Sequence, residues 1–336
     1  MGVLGMGYFP AHTRVASHNN QYSDIRYSVF DIQCLTISTG VRCSGNMEHR
    51  TPKNPPTTPN TPHPIPHQKM LLSPALPFPD PFPSGAIVLI DKPLGWTSFD
   101  VVNKVRYLLA NRLGIKYMKL KVGHAGTLDP LATGLLVLCV GDQTKQIERL
   151  QGMEKAYTGT ITFGAKTASF DLEKPVSEIF PTNHLTDGLV QRALEQFTGQ
   201  IMQAPPVFSA IKIDGKRVYK DARTGAEVDM PERPVFVKSF TVGSLRPVKK
   251  EDYERETSII SKKGASIYLY PDYQEGLQAD FEVVCGKGVY IRSLANDLGM
   301  ALDTGAYLSS LCRTSASGYD LTKAWDIVRL AEWVNG

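Results

Sequence analysis

The sequence predicts a mixed α+β fold over residues 85–330. Segments of strand character recur along that stretch: short apolar runs at residues 86–90 and 135–140, an alternating one at 155–164, and another at 281–285. Between them lie segments whose apolar residues fall at helical spacing, at 97–109, 187–198 and the stretch running through Leu298. With 336 residues, 42% of them hydrophobic and 21% charged, the chain has material for one large or two ordinary globular domains.

Residues 1–84 differ in character. The first fifty show no sustained helical or strand period, and residues 51–84 hold 12 of the chain's 23 prolines. Such a segment buries too little apolar surface to offset its ordering entropy, so a disordered, Pro-rich extension is expected, with order beginning at Gly85. It lacks the apolar core or Arg-rich amphipathic period of a targeting peptide. A translation start at Met70 would account for it.

From Gly85 the elements follow in order. Residues 86–90 form a strand, closed by the turn Asp91-Lys92-Pro93-Leu94-Gly95. Thr97 or Ser98 then caps a helix carrying Val101, Val102, Val105, Leu108 and Leu109 on one face. From Lys104 to Lys121 there are six basic residues and no acid, a local patch suited to phosphate. Residues 85–336 as a whole carry 31 basic against 29 acidic side chains, so any nucleic-acid surface is a patch and not a global field.

That basic run leads into Gly123-His-Ala-Gly-Thr-Leu-Asp-Pro-Leu-Ala-Thr-Gly134. Pro130 keeps Asp129 out of helical backbone angles, and the strand at 135–140 follows at once. A carboxylate is therefore presented on a rigid loop beside a sheet, where catalytic groups are commonly placed. The strand at 155–164 alternates Tyr157, Ile161 and Phe163 on one face. The helix at 187–198 ends at Gly199, and a Pro-rigidified basic segment, residues 203–223, then suits the gripping of a folded RNA. Residues 249–278, charged and then Tyr-rich, are expected to be an insertion loop. The last motif is Gly286-Lys287-Gly288-Val289-Tyr290-Ile291-Arg292, which lacks the rest of a phosphate-loop pattern.

These strings resemble the TruB-type tRNA pseudouridine synthases: Asp-Lys-Pro-x-Gly-x-Thr-Ser at 91–98, the Gly123–Gly134 string, Lys155-x-Tyr157 with Phe163-Gly164, the 203–223 segment, the Tyr290-Ile-Arg292 string and Leu311-Cys-Arg-Thr314. The resemblance covers about residues 85–330, broken by 249–278. It implies an α+β pseudouridine synthase fold, with a mixed or antiparallel sheet, flanking helices and an RNA-gripping insertion. It implies isomerisation of uridine 55 in the T-loop of tRNA, with Asp129 the essential acid, Arg292 paired to it and Tyr157 against the target base. Tyr290 and Leu311 would line the pocket, His124 would hold the flipped RNA, and Lys92 and Lys212 would contact RNA. The C-terminal PUA domain of many members has no counterpart here, which leaves part of the usual grip on the acceptor stem in question.

The chemistry asks for no nicotinamide, nucleotide triphosphate or metal, so no cofactor is expected. A carboxylate, unlike a serine, needs no partner base to act as a nucleophile. It could attack sugar or base, or assist elimination toward a glycal. Ordinary glycosidases use two carboxylates, and these motifs supply one. The partner expected is the T-arm of tRNA, with no membrane, no protein partner and a monomeric chain. Five cysteines with no Cys-x-x-Cys pair fit the reducing cytoplasm. No apolar run approaches the ~20 residues that span a bilayer. Two rival readings are an RNA-folding protein with a vestigial centre and a guide-RNA-dependent synthase similar to the dyskerin group.

Overall fold

The computed structural model describes residues 70–73, 75–207, 230–249, 273 and 275–336, and four two-residue strands in the intervening stretches. β1 (Met70–Leu72) and β2 (Gly85–Lys92) lead into helix α1 (Ser98–Arg112). β2 reads as a continuous apolar run because almost every side chain in it is buried. α1 starts where the Thr97 side chain accepts from the Asp100 backbone and the Asp100 carboxylate accepts from Thr97 N–H, a reciprocal capping box. The helix buries Val101, Val102, Val105, Leu108 and Leu109, the face its spacing predicts.

β3 (Val122–His124) and β4 (Ala132–Gly141) flank the loop that carries Asp129. A short helix, α2 (Ile147–Gln151), precedes β5 (Lys155–Phe163) and the small hairpin β6 (Ala165–Thr167) with β7 (Val176–Ile179). Next come α3 (Asp187–Leu194), capped by Thr186, and β8 (Gly199–Gln203). Two paired fragments, β9 (Lys212–Ile213) and β10 (Lys216–Arg217), are followed by β11 (Arg233–Val242) and β12 (Arg246–Pro247). The pair β13 (Ile259–Ile260) and β14 (Ser266–Ile267) comes before β15 (Leu277–Cys285) and α4 (Ile291–Ala301). β16 (Ala306–Ala316), β17 (Tyr319–Asp320) and α5 (Ile327–Asn335) close the chain.

Among the described residues the main sheet has eleven strands, with the continuous order β1-β2-β4-β16-β5-β15-β11-β8. Only β1 with β2 and β4 with β16 run parallel. The class is thus the expected α+β, with a mixed sheet. α1 packs against α5, while α4 packs against β16. Two register shifts in β16, at Leu308/Ser310 and Arg313/Ser315, bracket Leu311 and Arg313. Such irregularities re-aim side chains, and here they lie beside the candidate site. None of the described helices is long and apolar enough to cross a membrane.

Three boundaries differ from expectation. Order begins before Gly85: β1 pairs with β2, Leu72 is buried, and the indoles of Trp325 and Trp333 donate to the Leu72 and Leu76 carbonyls at 3.0 and 2.8 Å. Aromatic contacts near the far end of the chain hold a Pro-rich segment that composition alone marks as unfolded. The expectation of disorder for residues 1–69 lies outside the described residues. At the other boundary, Leu277 and Gln278 belong to β15 and Tyr273 is buried, so the 249–278 insertion is shorter than its composition indicates. Lastly, Gly199 does not simply stop a helix. α3 ends at Leu194, a 3₁₀ turn spans Glu195–Phe197, and Gly199 opens β8 at φ +88°.

Candidate active site

The loop bearing Asp129 is held from three sides, which explains how a Gly-rich string becomes rigid. From α1, the Ser98 hydroxyl accepts from Leu128 N–H at 2.8 Å and donates to Leu128 O at 3.1 Å. From the end of β2, the Lys92 ammonium donates to the carbonyls of Trp96 at 2.7 Å, Pro93 at 3.0 Å and Pro130 at 3.3 Å. From β16, Arg313 donates to the carbonyls of Leu135, Gly126 and Thr127. Two glycines let the chains approach. Gly126 has φ +130°, and a Cβ at Gly134 would meet the Arg313 backbone.

Arg292 lies in the first turn of α4. Its Nε is 3.0 Å from the Asp129 carboxylate and 3.7 Å from that of Asp171, and its Nη1 donates to Ser169 O at 3.0 Å. The guanidinium is buried while the Asp129 side chain is 39% exposed, so the pair orients a carboxylate that still faces the opening. The start of α4 is itself fixed by the buried Gln203 amide at the end of β8. Gln203 accepts from Tyr290 N–H at 2.8 Å and donates to Tyr290 O at 3.1 Å.

Asp171 and Ser169 reach Arg292 from the tight turn after β6. There the Thr167 and Ser169 hydroxyls donate to Asp171 O, and Phe170 adopts φ +59°. Burial pushes the Asp171 carboxyl up to about 6, against the opposing pull of Arg292.

Two hollows meet at Asp129, Arg292 and Leu311. One, of about 620 Å³, is walled by Leu94, Leu131, Leu172 and Leu308 and by hydroxyls of Thr158 and Ser310. The other, of about 730 Å³, carries Tyr157 and Tyr290 with Lys155, Arg233, Lys287 and Arg313. Rings for stacking beside cations open to phosphate, here Arg233 and Lys287, are what an unstacked RNA nucleotide requires. The Arg233 guanidinium also sits over the Tyr290 ring at 5.2 Å. Tyr157 is 8% exposed, and burial pushes its phenol up.

Residues 112–291 match the model of the TruB family pseudouridylate synthase N-terminal domain. A tRNA pseudouridine synthase B of Flavobacterium johnsoniae is 43% identical over 254 residues, 76% of this chain and 98% of that protein. One from Phocaeicola vulgatus is 42% identical, over 76% of this chain and 95% of its own. The chain belongs to the TruB family. A solved structure titled as a Cbf5-Nop10-Gar1 complex has TM-score 0.49 at 22% identity, over 74% of this chain and 54% of that one.

Within this TruB-family site the structure brings together Asp129, Arg292, Tyr157, Tyr290 and Leu311. His124 stands apart. It lies half-buried on β3 and lines neither hollow, with its imidazole pulled below the usual value by burial and by Arg313. Lys92 is corrected. It is fully buried with its ammonium on three carbonyls, and burial lowers its pKa to about 8, so it supports the Asp129 loop and has no path to RNA. The Lys212 side chain lies outside the described residues, as do most of the gripping segment and the 250–272 stretch.

Sequence reasoning missed Asp171, Arg313 and Gln203. Arg313 stands inside the Leu311–Thr314 string. A charged residue in an otherwise apolar or small-residue string was the available signal.

Proposed function

We propose that the chain isomerises uridine 55 in the T-loop of tRNA to pseudouridine, with Asp129 as the one reacting carboxylate and no cofactor. The observation that carries this is the Asp129–Arg292 pair at 3.0 Å, a half-open carboxylate oriented by a buried guanidinium where two hollows meet. Extruding the base costs a few kcal/mol, and one stacked ring returns about 1–3 kcal/mol. Tyr157 therefore roughly offsets flipping, while Arg233 and Lys287 at the second hollow supply net affinity. Asp129 opens the C–N glycosidic bond, the freed base turns, and it rejoins the sugar through carbon, in a site that must exclude water. His124 would steady the displaced RNA. We read the chain as a monomer working in the cytoplasm.

The test is incubation of the purified protein with an unmodified tRNA transcript, followed by mapping of pseudouridine. Product at position 55 is expected, and conversion elsewhere or nowhere would sink the reading. Asp129→Asn is nearly isosteric but carries no nucleophilic charge. It should bind tRNA almost as wild type and give no product, so measurable turnover would remove Asp129 from its role.

A further inference from the structure

Arg313 is a buried cation whose partners are uncharged. It is 1% exposed, and its guanidinium donates to Leu135 O at 2.8 Å, Gly126 O at 3.1 Å and Thr127 O at 3.4 Å. Among the described residues no carboxylate forms an ion pair with it. A desolvated ion without a counterion is costly. Lys92 meets the same difficulty with a pKa lowered to about 8, so its proton can be given up at smaller cost. A guanidinium cannot do so. Orienting three carbonyls does not by itself require a full charge. The charge makes sense if a negative group forms beside it during turnover.

Across the β5–β16 ladder Arg313 stands opposite Tyr157, and both line the cationic hollow. We infer, resting on the isomerase reading above, that Arg313 is a positioning residue acting through Tyr157: it is the fixed counterion of the Tyr157 phenolate that removes the proton from C5 of the base. Once C1′ of the sugar has bonded to C5, that carbon still carries its hydrogen. The phenolate takes it as a proton, and the C5–H electron pair becomes the C5=C6 double bond. The C6=N1 pair moves onto N1, which picks up a proton from solvent. Tyr157 is left as a phenol and returns its proton to solvent before the next cycle.

The groups facing Tyr157 pull both ways. Burial pushes its phenol up, and Arg313 is the principal group pulling it down. Asp129 from the loop and Cys285 from β15 oppose ionisation. Lys155, on Tyr157's own strand, has its ammonium on the Gln151 and Met153 carbonyls, while Glu148, Arg233, Lys287, Tyr290 and Arg292 are the other charged and titratable groups lining that hollow.

The test places 3-fluorotyrosine at position 157 of the full chain and follows its ionisation by fluorine NMR, beside single-turnover rates on tRNA. Arg313→Gln keeps donors for the loop carbonyls and drops the charge; Arg313→Lys keeps the charge. Arg313→Gln should raise the titration midpoint by about 1–3 pH units and slow turnover by about 10- to 1,000-fold, with tRNA affinity barely changed. Arg313→Lys should do much less of both. A folded Arg313→Gln with an unmoved midpoint overturns the inference. If that variant does not fold, wild type decides: the more acidic 3-fluorotyrosine must displace the pH–rate profile, and a profile that stays put overturns it. A wild-type chain that converts no uridine would defeat the isomerase reading itself. An active one whose profile ignores the phenol defeats the base role of Tyr157, and with it that of Arg313, while the isomerase reading stands.

Discussion

Arg292 faces two carboxylates with one guanidinium, and their exposures separate their work. Asp129 is half-open toward the hollows and Asp171 is almost closed, with its carboxyl pushed up to about 6. Folded Asp171 therefore keeps its proton to about pH 6, whereas an unfolded aspartate releases it near 3.9. Its contribution to stability is then fully present below about pH 4 and is lost as pH rises through about 6. Asp171→Asn cannot ionise, so its urea midpoint should vary less than that of wild type across this window. Equal slopes would mean that Asp171 ionises as freely folded as unfolded. Tyr157 gives a second prediction at this scale. If its phenolate takes the C5 proton, Tyr157→Phe should turn over nearly as poorly as Tyr157→Leu while still binding tRNA, a loss in the range of about 10²–10⁴-fold typical of general base catalysis. If the ring only stacks, Phe retains most activity and Leu alone loses about 1–3 kcal/mol. Single-turnover rates separate the two.

Among the elements, the end of β2, α1 and β16 together make a cage around one loop. Each contributes a polar side chain, Lys92, Ser98 or Arg313, to backbone atoms of residues 126–135. The basic run from Lys104 to Lys121 begins in α1 and ends beside β3, so it leads up to this cage from outside. Lys116, Lys119 and Lys121 are exposed. If they contact phosphates, replacing all three by Ala should flatten the salt dependence of tRNA binding by up to about three units of slope, near one per contact. An unchanged slope would return them to ordinary solvated surface. Arg106, in the same run, is not available in this way, since its Nη2 donates to Val122 O at 2.9 Å.

At the scale of the whole molecule, the first described strand is tied to the last helix. Phe78 stacks on Phe82 at 5.6 Å and lies 5.2 Å from the Trp333 ring, which in turn lies 4.9 Å from Trp325. A chain beginning at Met70 keeps these contacts and should match the full chain in melting temperature and activity. A chain beginning at Gly85 loses buried Leu72, two indole hydrogen bonds and this aromatic cluster. Burying one large apolar side chain stabilises by about 1.5–3 kcal/mol, and each kcal/mol moves the melting point of a domain this size by about 2–4 °C. The shorter truncation product should therefore melt at least about 5 °C lower. Equal melting curves would show that residues 70–84 pack without contributing.

What the sequence determined by itself was local. The strand at 135–140, the capped helix with Val101, Val105 and Leu109 inward, and the stiff loop at Asp129–Pro130 follow from periodicity, capping and proline, which act within a few residues. The motif strings also named Asp129, Tyr157 and Arg292. Only the tertiary structure decided what holds them. Arg313 reaches Gly126 across 187 residues, Gln203 reaches Tyr290 across 87, and Trp325 reaches Leu72 across 253. Lys92 reads as a surface residue in a turn until Pro130, 38 positions on, closes over it. A side chain's partners far along the chain leave no trace in its neighbours' hydrophobicity. Burial of a charge is set by whichever backbone carbonyls the fold brings to it, and that is settled only when the sheet has assembled.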